Sequence, residues 1–258
     1  MATVNVSSWA EFKTAVAVAG DTVNLPEKAV WDMNEIQPQG VNGLNFACAE
    51  VNGNGTEIKN LWMLNIITVG CPINNLKLTN TVFKNCGANY AIGTGGNTLS
   101  GCVFSAICES DFSEFMQSSG SGSLILCSAH VELAKSGNLS PFEGYNLTGC
   151  RITIDAPNGG TLRLQHTGGN KAKNCEFIVN SAACTGMYIG YWDSCTLRGE
   201  LPNCDGLYAY DGMGSISVYC ADDIPASTVI GITGVTEAQM QSVSYLQGIG
   251  FTVKAGVT

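Results

Sequence analysis

Residues 147–152 read LTGCRI, and residues 172–177 read AKNCEF, 25 residues further on. Both share one form: an apolar or small residue, a variable one, Gly or Asn, Cys, a variable one, an apolar one. The form recurs as VNGLNF (41–46), IKNLWM (58–63), LTNTVF (78–83), LSGCVF (99–104), WDSCTL (192–197) and MGSISV (213–218). A degenerate LILCSA (124–129) falls between. The fourth positions make a column: Leu44, Leu61, Thr81, Cys102, Cys127, Cys150, Cys175, Cys195 and Ile216, at a mean interval of about 21 to 22 residues. Apolar residues at the fourth and sixth positions, with a variable one between, are strand alternation. Gly and Asn adopt left-handed backbone at little cost, so the third position is a corner. A short strand, a corner and this period describe one coil of a parallel β-solenoid. Helical repeats need longer periods, and a propeller blade needs about 40 residues.

A second strand set supports the reading. LRLQ (162–165), MYIG (187–190) and LYAY (207–210) align, each after a short turn. Alternation sends Leu162, Leu164, Met187, Ile189, Leu207 and Ala209 inward. It sends Arg163, Tyr188, Tyr208 and Tyr210 outward. Ser8–Glu11 is a capping box opening an amphipathic helix over residues 9–18, with Trp9, Phe12, Val16 and Ala19 on one face. Thr236–Gln239 is a second capping box, whose Met240, Val243 and Leu246 suit a lid on the last coil. Residues 250–257 read as a final strand. Residues 108–123 and 134–145 break the period and read as loops.

The expected fold is all-β: a single-stranded parallel β-helix of about nine coils with short capping helices at both ends. Residues 1–21 are the N-terminal cap, 22–230 the solenoid and 231–258 the C-terminal cap, one domain overall. In coil period and corner residues the chain resembles the right-handed parallel β-helix superfamily of pectate-lyase-like architecture.

Composition fits this shape and excludes other classes. Of 258 residues only 13% are charged, against the usual ~25%. Asn (22), Ser (20), Thr (20) and Gly (31) replace the missing charge. A net charge of −9 is no footprint for nucleic acid. No apolar run is long enough to span a membrane, and no export signal is visible. Twelve cysteines without a C-x-x-C pair are not a zinc framework. The column Cys102, Cys127, Cys150, Cys175 and Cys195 reads as small buried core residues, with no metal or cofactor.

Two surfaces are candidates for function. Arg163, Tyr188, Tyr208 and Tyr210, with His166 and Asp211 in nearby turns, form an aromatic strip suited to sugar rings or a protein partner. The outward face of the Cys strand carries His130, Glu132, Arg151, Asp155, Glu176, Arg198 and Glu200. There His130, Arg151 and Asp155 are the candidates for a lyase or hydrolase. The resemblance also carries enzyme motifs, but Asn-Thr-Asp, Gly-His-Gly and Arg-Ile-Lys are absent. The only Asp-Asp, Asp222-Asp223, follows the last repeat. Short capped solenoids of this kind resemble bacteriophage decoration, fibre and tailspike proteins. The resemblance implies a non-catalytic virion structural protein made in the host cytoplasm. Its partners would be other virion proteins or itself as a homotrimer, with adhesion to a cell-surface glycan. The alternatives are a polysaccharide lyase or glycoside hydrolase, and a bacterial surface or secreted adhesin.

Overall fold

The structure, a computed structural model, describes residues 2–84, 89–109, 112–164, 170–189, 191–193, 195–198, 206–209, 216–219, 229–232 and 251–254. It is a parallel β-solenoid with few helices. Every strand pairing among the described residues is parallel and joins strands of neighbouring turns. Each regular turn lays one strand on each of three ladders. The second ladder is the longest single path, ten strands from Val30–Asp32 to Phe251–Lys254. The strand expected near the C-terminus is therefore Phe251–Lys254, paired with Ile216–Tyr219. Strand pairing runs on past residue 230, because Val229–Ile232 pairs with Gly206–Ala209.

The solenoid has about six turns, fewer than the nine expected. The difference is one of register. Leu44 starts a strand of the third ladder, paired with Ile67. Leu61 and Thr81 follow left-handed Asn60 (φ 59°) and Asn80 (φ 49°), which lie within the second ladder. The cysteine column instead continues downward through Leu76 and Thr56, because Lys77 pairs with Val103 and with Glu57. Its corners are Asn54, Asn75, Gly101, Leu126, Gly149 and Asn174, all at positive φ. The column then runs Thr56, Leu76, Cys102, Cys127, Cys150, Cys175, Cys195 and Ile216. At Gly101 (φ 63°) a Cβ would lie 2.2 Å from Asn75 Oδ1, so glycine is required there twice over.

The two stretches expected to be loops are largely strand among their described residues. Glu114–Ile125 is one long strand that starts on the third ladder, beside Tyr90–Thr94, and ends on the first, beside Thr98–Ser100. Its Ser/Gly run crosses the corner where the core holds Tyr145, and at Gly122 a Cβ would stand 2.8 Å from the Tyr145 ring. Tyr145 Oη and Thr94 Oγ1 are hydrogen-bonded at 2.7 Å. Gly137–Leu139 and Phe142–Thr148 occupy most of the second stretch.

The core is a column of apolar residues inside the ladders. Phe115 meets Phe104 of its own turn and Phe142 of the next edge to face, both at 5.9 Å. Leu162, Leu164 and Met187 are buried, and Leu162 pairs in register with Met187 and then Leu207.

Helix α1 (Trp9–Val16) closes the N-terminal end. Ser8 Oγ accepts from Glu11 N–H at 3.3 Å, and the Glu11 carboxylate accepts from Ser7 N–H at 2.7 Å. Trp9, Phe12 and Val16 are buried, with Trp9 and Phe12 against Trp31 and Phe12 also against Phe46. The helix is shorter than expected: Ala17 caps it, and Ala19 is exposed. A second short helix, α2 (Met33–Ile36), follows the first strand of the second ladder. The expected C-terminal lid, residues 236–246, lies outside the described residues.

One organising feature was not anticipated. Asn5, Asn24, Asn52 and Asn74 stack in register on the first ladder. Each amide donates to the oxygen of the one before it, at 3.1, 3.0 and 3.2 Å. A shorter ladder runs from Asn80 to Asn60 (3.4 Å) and from Asn60 to Asp32 (2.9 Å) on the second.

Candidate functional site

The second ladder presents one outward column along the solenoid axis: Trp62, Val82, Ile107, Glu132, Asp155 and Asn180, each paired in register with the next. It is apolar at one end and polar at the other. Trp62 is 41% exposed and Ile107 42% exposed, both large for residues of their type. Beside them lies a groove of about 540 Å³, lined by Trp62, Val82, Ile107, Lys84, Glu109 and the amides of Asn60 and Asn80. Lys84 Nζ stands 4.9 Å from the Trp62 ring centroid and 2.5 Å from Glu109 Oε1. Asp32 anchors the amides beside the groove. Its carboxyl is held below the usual range, first by the Asn60 amide and then by Lys59, 3.1 Å away. An exposed indole with amide, ammonium and carboxylate groups within one groove offers both a stacking surface and directional hydrogen bonds.

Trp62 was legible and overlooked. It fills the fifth, variable position of IKNLWM, which alternation sends outward. Lys84 and Glu109 carry no such mark, because their meeting depends on two strands 25 residues apart.

Further along the same face, His130 Nε2 lies 2.6 Å from Asp155 Oδ2, and Asn180 Nδ2 donates to Asp155 Oδ1 at 2.7 Å. Arg151 stands four residues before Asp155 on the same strand, with its Nε 3.1 Å from Glu176 Oε2. Of the cluster read from sequence, the structure joins His130 with Asp155 and Arg151 with Glu176. It does not join Arg151 with His130. Both Asp155 oxygens are engaged, and His130 and Arg151 are more than half exposed. The geometry is that of cross-coil ion pairs on a wet surface, each worth about 0–1 kcal/mol. Arg198 pairs in register with Ile178, and Glu200 lies outside the described residues.

On the third ladder Arg163, Tyr188, Tyr208 and Gly231 share one register column. His166, Tyr210 and Asp211 lie outside the described residues.

Cys102, Cys127, Cys150, Cys175 and Cys195 are buried and form no disulfide. Cys127 and Cys150 each place Sγ 3.3 Å from a carbonyl oxygen of the preceding turn, Leu99 and Leu124 respectively. These contacts satisfy the weak S–H donor without a partner outside the chain. Among the described residues no group of three or more His, Cys, Asp or Glu is arranged to hold a metal ion. No helix among them is long and apolar enough to cross a membrane.

One further acid was missed. Glu114 is pushed up to about 7, mainly by burial and secondly by the charge of Glu143. Its Oε2 is buried without a hydrogen-bond partner.

No protein-family model, no curated protein and no solved structure gives a significant match to this chain.

Proposed function

We propose that the protein is a non-catalytic, glycan-adhesive solenoid. The observation that carries this reading is the exposed Trp62 in its amide- and charge-lined groove. Sugar rings pair an apolar face with a rim of hydroxyls, and the groove offers a complement to each. The flat second ladder extends from that groove, so neighbouring units of a chain-like glycan have polar surface to meet at Glu132, Asp155 and Asn180. The setting we propose is a virion, as a decoration, fibre or tailspike-like component assembled with other virion proteins or as a homotrimer. A capped rod with a long exposed face suits that use. A bacterial surface adhesin would use the same groove.

The test is a glycan array followed by titration calorimetry on the wild-type protein and Trp62→Ala, with melting curves as the folding control. Binding that falls at least tenfold in the variant, at an unchanged melting temperature, supports the proposal. Equal binding by both proteins, or no glycan bound by either, overturns it. The lyase or hydrolase reading draws on the close His130–Asp155 pair. It predicts release of reducing or unsaturated ends from a bound polysaccharide, lost in His130→Ala. Intact polysaccharide after prolonged incubation would eliminate it.

A further inference from the structure

Nine described cysteines are buried and stand outside any disulfide, but they are not equivalent. Five belong to the long column. Cys48 and Cys71 stand apart, at the corner where the third ladder passes to the first. Phe46 pairs with Val69 in register, which brings Cys48 and Cys71, two residues on, opposite one another on adjacent turns. Their Sγ atoms are 3.5 Å apart. The backbone around Cys48 is tied to the cap, because Ala47 N–H and Cys48 N–H both donate to Val16 O, at 2.7 and 3.1 Å. Neighbouring parallel strands hold Cα atoms at about 4.8 Å, within the span a disulfide bridges.

We propose that Cys48 and Cys71 are a modification site: a dithiol that a peroxide converts to a disulfide, locking the capped first turn to the second. Two thiols lose two electrons in all, and hydrogen peroxide takes them up. The Cys48 thiolate attacks one peroxide oxygen, the O–O bond breaks, and the leaving hydroxide takes a proton to become water. Cys48 is then a sulfenic acid. The Cys71 sulfur gives up its proton and attacks the Cys48 sulfur. The S–O bond breaks, and a second water leaves. The roles follow from the hydrogen bond between the pair. It pulls the Cys48 thiol down, whereas the same contact and burial push the Cys71 thiol up, so Cys48 is the attacking sulfur. Both residues are nearly inaccessible, at 3% and 2% exposure, which favours an oxidant as small as a peroxide. The crosslink closes a short loop beneath the helix that guards the sheet edge.

The experiment treats the full chain with hydrogen peroxide, blocks residual thiols by alkylation, and maps tryptic peptides by mass. Cleavage after Lys59 and Lys77 separates the two cysteines, so the crosslink appears as two joined peptides that dithiothreitol parts. The expected result is this linkage ahead of any other, with a melting temperature raised by several degrees and restored on reduction. In Cys71→Ser the sulfenic acid has no resolving thiol, so Cys48 should be trapped by dimedone. Cys48→Ser should leave Cys71 reduced. Two reduced thiols at peroxide levels that oxidise an exposed peptide cysteine would overturn the proposal. So would Cys48 recovered only as sulfinic acid in the wild type, or a disulfide formed first within the long column.

Discussion

Cys150 shows how one position is selected. Its corner residue, Gly149 (φ 63°), turns the backbone, and the side chain enters a slot between turns where it is 2% exposed. A thiol fills that slot as a small apolar group and still finds the carbonyls of Leu124 and Thr148 at 3.3 and 3.5 Å. Cys150→Asp places an unpaired charge there and is expected to lose about 3–5 kcal/mol or fail to fold, with Cys150→Ser milder and Cys150→Ala milder again. Thermal melts rank the series, and near-wild-type melting of the Asp variant would contradict the inward column. Glu114 gives a pH prediction. Its folded-state value, about 7, lies above the ordinary 4.5, so between those values the folded chain holds a proton that the unfolded chain has released. Stability should therefore fall as pH rises from about 4.5 to 7 and level off above. Urea melts across that window should show the slope, and Glu114→Gln should flatten it. These residues also mark the reach of sequence reading. The cysteine corners were legible because Gly and Asn announce left-handed backbone. Leu126, also left-handed at φ 52° and 69% exposed, announces nothing. The early coils misled because they carry two left-handed asparagines each, such as Asn54 and Asn60, and only the first belongs to the cysteine column.

At the scale of elements, α1 exists because its sequence caps its start and gives it an apolar stripe to bury. Ser8 and Glu11 cap it, and Trp9, Phe12 and Val16 form a stripe that has nothing to cover except the open end of the core. Phe12, fully buried and touching Trp9, Trp31 and Phe46, is its anchor. Phe12→Ala should cost about 3–5 kcal/mol. It should also loosen α1 from the sheet edge and invite association between chains. Light scattering with a denaturant melt checks both, and a stable monomer would show that α1 is not the guard of that edge. The helix start was readable from its capping box, but its end was not. Chain exit at Ala17 is set by Val16 O accepting from Ala47 and Cys48, a contact some 30 residues away. The Ser/Gly segment of Glu114–Ile125 looked like a loop for a similar reason. Small residues signal flexibility until the ring of Tyr145, which they must clear, is placed beside them.

Across the whole molecule each turn touches mainly the turns before and after it, so stability is a chain of nearest-neighbour contributions. Damage should stay local. Hydrogen exchange on Phe12→Ala should show faster exchange in the first turns, up to about Glu57–Lys59, with Arg151–Asp155 still protected. Uniform acceleration along the chain would show instead that the rod melts as one unit. Fold class was readable at this scale because repetition multiplies a weak local signal. The groove was not, because Trp62, Lys84 and Glu109 come from three successive turns and each reads alone as an ordinary surface residue. The asparagine ladder has the same origin in register, and it gives the rod a direction. Each side-chain amide gives its hydrogen toward the N-terminal end and offers its oxygen toward the other. Four such groups aligned head to tail add their dipoles. The N-terminal face of the first ladder thus carries the positive pole of a small electret, whose last amide, Asn74, is also held by the Glu50 carboxylate at 2.8 Å.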